Sequence, residues 1–283
     1  MTHIKVLQRL VIETGSPLGG EPIRKFDGGL TLSVRPVTDG RAVLAQNSAH
    51  RLSSWPVACE PSPLSALRHY NRRVQWLTGR LCLQDLVLDR CGPSALNASM
   101  VRSSAGGPEV VDHSGHPVIP VSISHDTALA AAVMAPSACA VDIEERSALG
   151  TACVDTLFSH HEWTAIRSCL GHLPEPDQPT VYWTLLECLS KLFHCPSLGK
   201  GRFRLVGGEG PADQASASPL YFASTASVGT GLHAISLLTL LYSRHVLTIA
   251  SSQTSGARPA EVLAHPAVNA HNPLSERIRE KLR

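Results

Sequence analysis

This chain has no apolar run long enough to cross a bilayer. Its most apolar stretch, Leu232 to Ser243 (LHAISLLTLLYS), is interrupted by His, Ser and Thr and falls well short of the roughly 20 residues a membrane helix needs. No membrane span is expected. The amino-terminal MTHIKVLQRLVIETG carries charge through its only apolar portion and lacks the apolar core of a secretion signal, so no export is expected either. None of the 8 cysteines forms a CxxC pair, and none clusters with histidine at zinc-finger spacing. They read as reduced core thiols of a cytoplasmic protein. Charge is also sparse: Asp, Glu, Lys and Arg make up 17% of the chain, with a net charge of +2. That balance gives no argument for nucleic acid and leaves room only for a local basic patch facing a phosphorylated or acidic ligand.

What is present fits a globular protein. With 283 residues, 43% of them hydrophobic, the chain can bury a core as one large or two smaller domains, and 20 Pro and 21 Gly punctuate it with turns. Residues 1–60 are weakly patterned, with a strand expected at Leu30 to Val37 and a loop from Thr38 to Pro63. From Ser65 to Asp89 the period becomes helical, through Leu67, Tyr70, Val74, Leu77, Leu81 and Leu88, and Gly92-Pro93 ends it. Arg68, Arg72, Arg73 and Arg80 ride on this helix, either as a solvated face or as forked donors for phosphate. Glu109 to Val121 reads as a hairpin leading into Ser122 to His125. Ala128 to Ala135 and Cys139 to Glu144 follow as further strands, which packs antiparallel strands around His125, Asp142 and Glu144.

After Gly150 the pattern is helical. Thr151 to Phe158 is a short candidate, and Ser159 to Glu162 makes a capping box that opens a helix to about Leu170. Beyond a Pro-rich loop, Leu173 to Pro179, the segment Thr180 to Phe193 places Trp183, Glu187, Ser190, Lys191 and His194 on one side of a helix. Taken alone, Glu187 and Lys191 make an ordinary surface pair. Arg202 to Val206, Leu220 to Ser227, Leu232 to Leu241 and His245 to Ser251 form a second sheet. Residues 252–283 are a linker and a short amphipathic tail with Leu274, Ile278 and Leu282 in a narrow stripe.

Side chains in a strand alternate faces, so Asp142 and Glu144 point the same way, and two close carboxylates are costly unless a cation lies between them. Adding Glu187, Lys191 and His125 gives three carboxylates, an ammonium and an imidazole. Hard oxygen ligands hold Mg²⁺ while Lys and His neutralise phosphate oxygens. The chemistry indicated is transfer at a diphosphate.

These residues also carry a resemblance. From about Ser65 to about Ser251 the chain resembles the 4′-phosphopantetheinyl transferases of the larger single-chain type. The family's signatures are G-x-P, a strand ending in S-H, (G)VDIE, F-(S)-x-x-E and W-x-x-K-E-(A)-x-x-K. Here they read Gly115-His116-Pro117, Ser124-His125, Ala140-Val141-Asp142-Ile143-Glu144, Phe158-Ser159 to Glu162 and Trp183 to Lys191. The resemblance implies an α+β, pseudo-twofold fold of two similar subdomains, each with an antiparallel sheet and a long helix. The corresponding divisions are 1–120, 121–251 with the metal site, and the tail 252–283. It further implies a monomer that moves the phosphopantetheine arm of coenzyme A to the serine of an apo acyl or peptidyl carrier protein. Asp142, Glu144 and Glu187 would hold Mg²⁺, or Mn²⁺ in its place, and Ser124, His125 and His116 would contact coenzyme phosphates. Lys191 would stabilise the diphosphate, Glu187 would take the serine proton, and Arg72, Arg73 or Arg80 would grip the 3′-phosphate. Three positions depart from the pattern: Leu186 and His116 stand where Lys is usual, and Ala140 replaces Gly. The first two remove fixed positive charge, which should weaken coenzyme binding or make it pH-dependent through His116. A non-catalytic coenzyme A or carrier binder of the same fold, or a Mg²⁺-dependent phosphohydrolase, also fits these carboxylates.

Overall fold

One strand ends at Pro36 and a helix begins at the next residue, Val37. The computed structural model describes residues 23–26, 29–45, 57–59, 62–92, 98–103, 107–146, 149, 163–164, 167–168, 170–171, 173–194, 203–209, 220–228, 231–242 and 244–252. The expected capping box at Ser159 to Glu162 and the tail after Ser252 lie outside them. The chain divides into two compact units, Met1–Ile143 and Glu144–Arg283. The architecture is mixed α and β, built mainly from antiparallel sheets.

The first unit contains strands β1 (Ile23–Lys25) and β2 (Thr31–Pro36), helix α1 (Val37–Ala45), strand β3 (Ala58–Cys59) and helices α2 (Ser62–Ala66) and α3 (Tyr70–Cys91). Strands β4 (Ser99–Arg102), β5 (Pro108–Val111), β6 (Pro117–Ile119), β7 (Val121–His125) and β8 (Leu129–Met134) follow. Strand β9 (Cys139–Glu145) spans the division between the units. One sheet runs β1-β2-β8-β7 and a second runs β3-β4-β5-β6, in which β3 and β4 are parallel. Because β8 pairs with β2 on one edge and β7 on the other, β7 and β8 belong with the first unit.

The alternation along β8 sends Ala130, Ala132 and Met134 into a core with Leu77, Cys82, Leu83, Leu86 and Val87 of α3. Small residues let the helix lie close. A Cβ on Gly79 would sit 2.6 Å from Ile123 Cγ2 of β7. The guanidinium of Arg35 ties β2 to α3 through paired bonds to Asp85, Nε to Oδ2 at 2.7 Å and Nη2 to Oδ1 at 2.8 Å, and reaches Asp39 of α1 at 2.9 Å. The Asp85 carboxylate holds the Arg35 pKa above its ordinary value.

One expectation needs correction. Val37–Ala45 is helix where a loop was expected. Gly40 reads as a helix breaker in sequence, yet it is the contact that lets α1 meet α3, since a Cβ there would lie 2.3 Å from Thr78 Oγ1 and 2.4 Å from the Val74 carbonyl. Tertiary packing overrides propensity here. The strands that carry His125 and Asp142 do not share one ladder: β9 pairs with β13 in the second sheet rather than with β7 or β8. β9 cannot pair with β8, whose two edges are filled, and the amides of Val141 and Ile143 go to the hydroxyls of Ser122 and Ser124 instead.

In the second unit, α4 (Gln178–Leu192) precedes β10 (Phe203–Glu209), β11 (Leu220–Val228), β12 (Gly231–Leu241) and β13 (His245–Ser252). The sheet order is β10-β11-β12-β13-β9, as the four late strands in the sequence indicated. α4 buries Val181, Leu185, Cys188, Leu189 and Leu192. A polar thread runs through that core: Thr184 Oγ1 meets Thr248 Oγ1 at 2.7 Å, which meets Thr239 Oγ1 at 2.9 Å. Their hydroxyls satisfy one another, so burying them costs little.

One order of elements recurs. A strand (β2, β9) leads to a long helix (α3, α4) and then, after intervening strands, to a hairpin (β7–β8, β12–β13) whose second strand lies beside the first. Each helix carries a threonine followed four residues later by a cysteine. Cys82 Sγ donates to the Ala130 carbonyl of β8 at 3.4 Å, and Cys188 Sγ donates to the Thr248 carbonyl of β13 at 3.1 Å.

Gly40→Ala should lower stability. Overpacking against the Val74 carbonyl costs about 1–3 kcal/mol, more than the roughly 1 kcal/mol of helix propensity that alanine adds. Urea denaturation should show a lower midpoint at an unchanged slope, and an increase in the midpoint would contradict the close approach.

Candidate functional site

β9 contributes two acidic side chains with different surroundings. Asp142 is 1% exposed, and its Oδ1 accepts the Ser124 hydroxyl at 2.7 Å. Glu144 is half-buried, and its Oε1 accepts the indole N–H of Trp183 on α4 at 3.3 Å. In sequence these two bonds span 18 and 39 residues. The first bond ties the S-H and D-x-E segments within the first unit, and the second ties Glu144 to the W-x-x-x-E helix within the second.

The Ser-His-Asp cluster divides its work. Ser124 is buried, and its oxygen also accepts the amide of Ile143 at 3.3 Å, so this hydroxyl is engaged within the protein. His125 is half-buried at the end of β7. Asp126 closes the β7–β8 turn, accepting the amides of Ala128 and Leu129 at 2.7 Å each, while its carbonyl accepts Gln75 Nε2. That is the turn chemistry of an aspartate.

On α4, Glu187, Ser190 and Lys191 are half-buried while Leu185, Cys188, Leu189 and Leu192 are buried, as the spacing predicts. Leu186 is half-buried, and His194 is exposed just past the helix with φ 48. Among the described residues no group of three His, Cys, Asp or Glu comes together to hold a metal ion.

The arginines of α3 do not share one environment. The helix starts at Tyr70 because His69 is extended (φ −87, ψ 131), which leaves Arg68 exposed ahead of it. Arg72 and Arg73 are half-buried, and the Nε of Arg73 is buried without a hydrogen-bond partner. Arg80 is buried, with its guanidinium 4.6 Å from the ring centroid of Trp76. Desolvation lowers its pKa, partly opposed by Cys59 and reinforced by Arg102. Neither a plain solvated face nor a uniform donor row describes this helix.

His116 is exposed in the turn between β5 and β6. Asp112 Oδ1 organises that turn by accepting the amides of Ser114 at 2.8 Å and His116 at 2.9 Å, with Gly115 at φ 79. The hydrogen bond from the His116 amide is the main cause holding the Asp112 carboxyl below its ordinary pKa.

Sequence reasoning missed a further arrangement. Arg146, immediately after β9, forms a two-pronged bond with Asp177, Nε to Oδ1 at 3.1 Å and Nη2 to Oδ2, and donates to the Tyr242 carbonyl at 3.2 Å. Its amide bonds the Arg244 carbonyl at 2.7 Å. Asp177 stands at the amino-terminal cap of α4, yet its side chain caps no amide. The signal available was Asp ahead of Gln-Pro-Thr at a helix start. It lay in what read as a Pro-rich loop.

No helix among the described residues is long and apolar enough to cross a membrane. No protein-family model matches the chain, and no curated protein matches it.

Two outcomes follow from these contacts. Asp177→Ala leaves the half-buried Arg146 guanidinium with the Tyr242 carbonyl and without its carboxylate, so chemical denaturation should report a loss of about 1.5–2 kcal/mol. A loss below about 0.5 kcal/mol would make the pair incidental. For Asp112 the folded pKa lies below the unfolded one, so its contribution is present above the unfolded value and is lost as pH falls through the folded value. The amide resonances of Ser114 and His116 should shift across that acidic window in NMR, and Asp112→Asn should abolish the shift.

Proposed function

We propose that this protein is a Mg²⁺-dependent 4′-phosphopantetheinyl transferase that acts on coenzyme A and the serine of an apo acyl or peptidyl carrier protein. The observation that supports this reading is that the two acidic residues of the D-x-E motif each bond another motif segment far away in sequence, Asp142 to Ser124 within the first unit and Glu144 to Trp183 within the second. The recurring strand, helix and hairpin agree with the pseudo-twofold fold of that family.

Asp142, Glu144 and Glu187 are hard oxygen donors of the type Mg²⁺ takes. Mg²⁺ in phosphoryl-transfer sites is commonly bound by one or two carboxylates together with substrate phosphates. The lack of a three-residue protein cluster among the described residues is therefore compatible with a metal completed by a diphosphate. When bound, the ion would neutralise charge on the diphosphate. Glu187 takes the proton of the carrier serine as its oxygen attacks the phosphorus bearing the pantetheine arm. As the bond to the 3′,5′-ADP oxygen breaks, Lys191 balances the charge growing there, and His125 orients a phosphate oxygen. Arg72, Arg73 or Arg80, with His116, supplies the remaining positive charge for the coenzyme.

Incubating the purified protein with Mg²⁺, coenzyme A and a panel of apo carriers should add one phosphopantetheine arm to the carrier serine, read by intact mass. Asp142→Ala and Glu187→Gln should each slow this by about 10²-fold or more. No mass gain on any carrier removes the transferase reading. Phosphate release from nucleotides with no carrier present would instead favour a phosphohydrolase, and coenzyme binding without turnover a non-catalytic member.

A further inference from the structure

β7 reads Val121-Ser122-Ile123-Ser124-His125, so its two serines fall on one face of the strand. Both hydroxyls face β9 and replace the backbone ladder that these strands do not share. Ser122 Oγ accepts the Val141 amide at 3.2 Å, and Ser124 Oγ accepts the Ile143 amide at 3.3 Å. The two serines then differ. A hydroxyl that accepts one bond still has a proton to donate, and Ser124 places it on Asp142 Oδ1 at 2.7 Å. This short bond lies in a region where Ser124 is 7% and Asp142 1% exposed. A carboxylate held by a hydroxyl that is itself tied to the neighbouring backbone has one orientation rather than several.

We propose that Ser124 is a positioning residue: it acts on the site through Asp142, fixing that carboxylate's rotamer, while Ser122 only joins the strands. The consequence for metal affinity rests on the function proposed above. The rotamer itself does not. Partners that hold a ligating carboxylate in place typically matter by about 10- to 100-fold in metal affinity.

The test uses the full chain and three variants, Ser124→Ala, Ser124→Thr and Ser122→Ala. Three-bond couplings to the Asp142 carboxyl carbon report its χ1 by NMR. Wild type, Ser124→Thr and Ser122→Ala should show one rotamer, and Ser124→Ala an averaged one. Ser122→Ala and Ser124→Ala should both melt at reduced temperatures, because each loses a bond to a β9 amide, and Ser124→Ala more so, because it also removes the donor to the buried Asp142 carboxylate. A merely structural serine therefore gives the melting change without the rotamer change. Mn²⁺ titration followed by EPR in the presence of coenzyme A should weaken about tenfold in Ser124→Ala and be unchanged in Ser122→Ala. The proposal is overturned if Ser124→Ala keeps a single Asp142 rotamer, or if it averages the rotamer and leaves Mn²⁺ affinity intact. Should the wild type bind no Mn²⁺, the metal reading falls, and the couplings still decide whether Ser124 positions Asp142.

Discussion

The pair formed by Arg146 and Asp177 fixes the second unit's geometry around the candidate residues Glu144 and Glu187. One guanidinium spans the end of β9, the start of α4 and the turn between β12 and β13. Those are the two elements that present Glu144 and Glu187. A planar fork meeting a carboxylate tolerates little variation in angle, so the pair constrains orientation more than a single ammonium contact would. Buried ion pairs add little net stability compared with apolar packing, and their attested use is specifying one arrangement. The indole-to-carboxylate bond between Trp183 and Glu144 is made within that arrangement.

Much of the fold was legible because its signals are periodic. The late strands showed their alternation and α4 its helical face, and both sit within a few residues of where the sequence placed them. α1 was not legible. Its glycine looks like a break until the partner helix is present, and only the contact with Val74 and Thr78 explains why that position must lack a side chain. The place of β9 was hidden for a related reason. Sequence order does not say which strands share an edge, and β2, from far upstream, takes the open edge of β8.

The candidate site was legible by residue type and less so by role. Asp142, Glu144, Glu187 and Lys191 followed from strand and helix spacing. The resemblance made Ser124 a contact for coenzyme phosphates, and the spacing gave no sign that its hydroxyl is bonded on both sides inside the protein. Asp126, beside it, turned out to close a turn. The arginines of α3 looked equivalent in a one-dimensional pattern, yet a break at His69 and the ring of Trp76 give Arg68 and Arg80 opposite exposures. Side-chain hydrogen bonding between distant segments leaves no periodic trace, and so Arg146 with Asp177 was missed.

The threonine and cysteine contacts beneath α4 act as an angular stop. Advancing a helix by one residue moves it about 1.5 Å along its axis and turns it about 100°. With Thr184 and Cys188 both engaged on Thr248, such a slip would break the interior bonds together. The direction in which Glu187 and Lys191 point is thus set from the opposite, hidden side of the helix. Evolution or design could re-aim this face by altering the interior threonines, without changing any residue on the face itself.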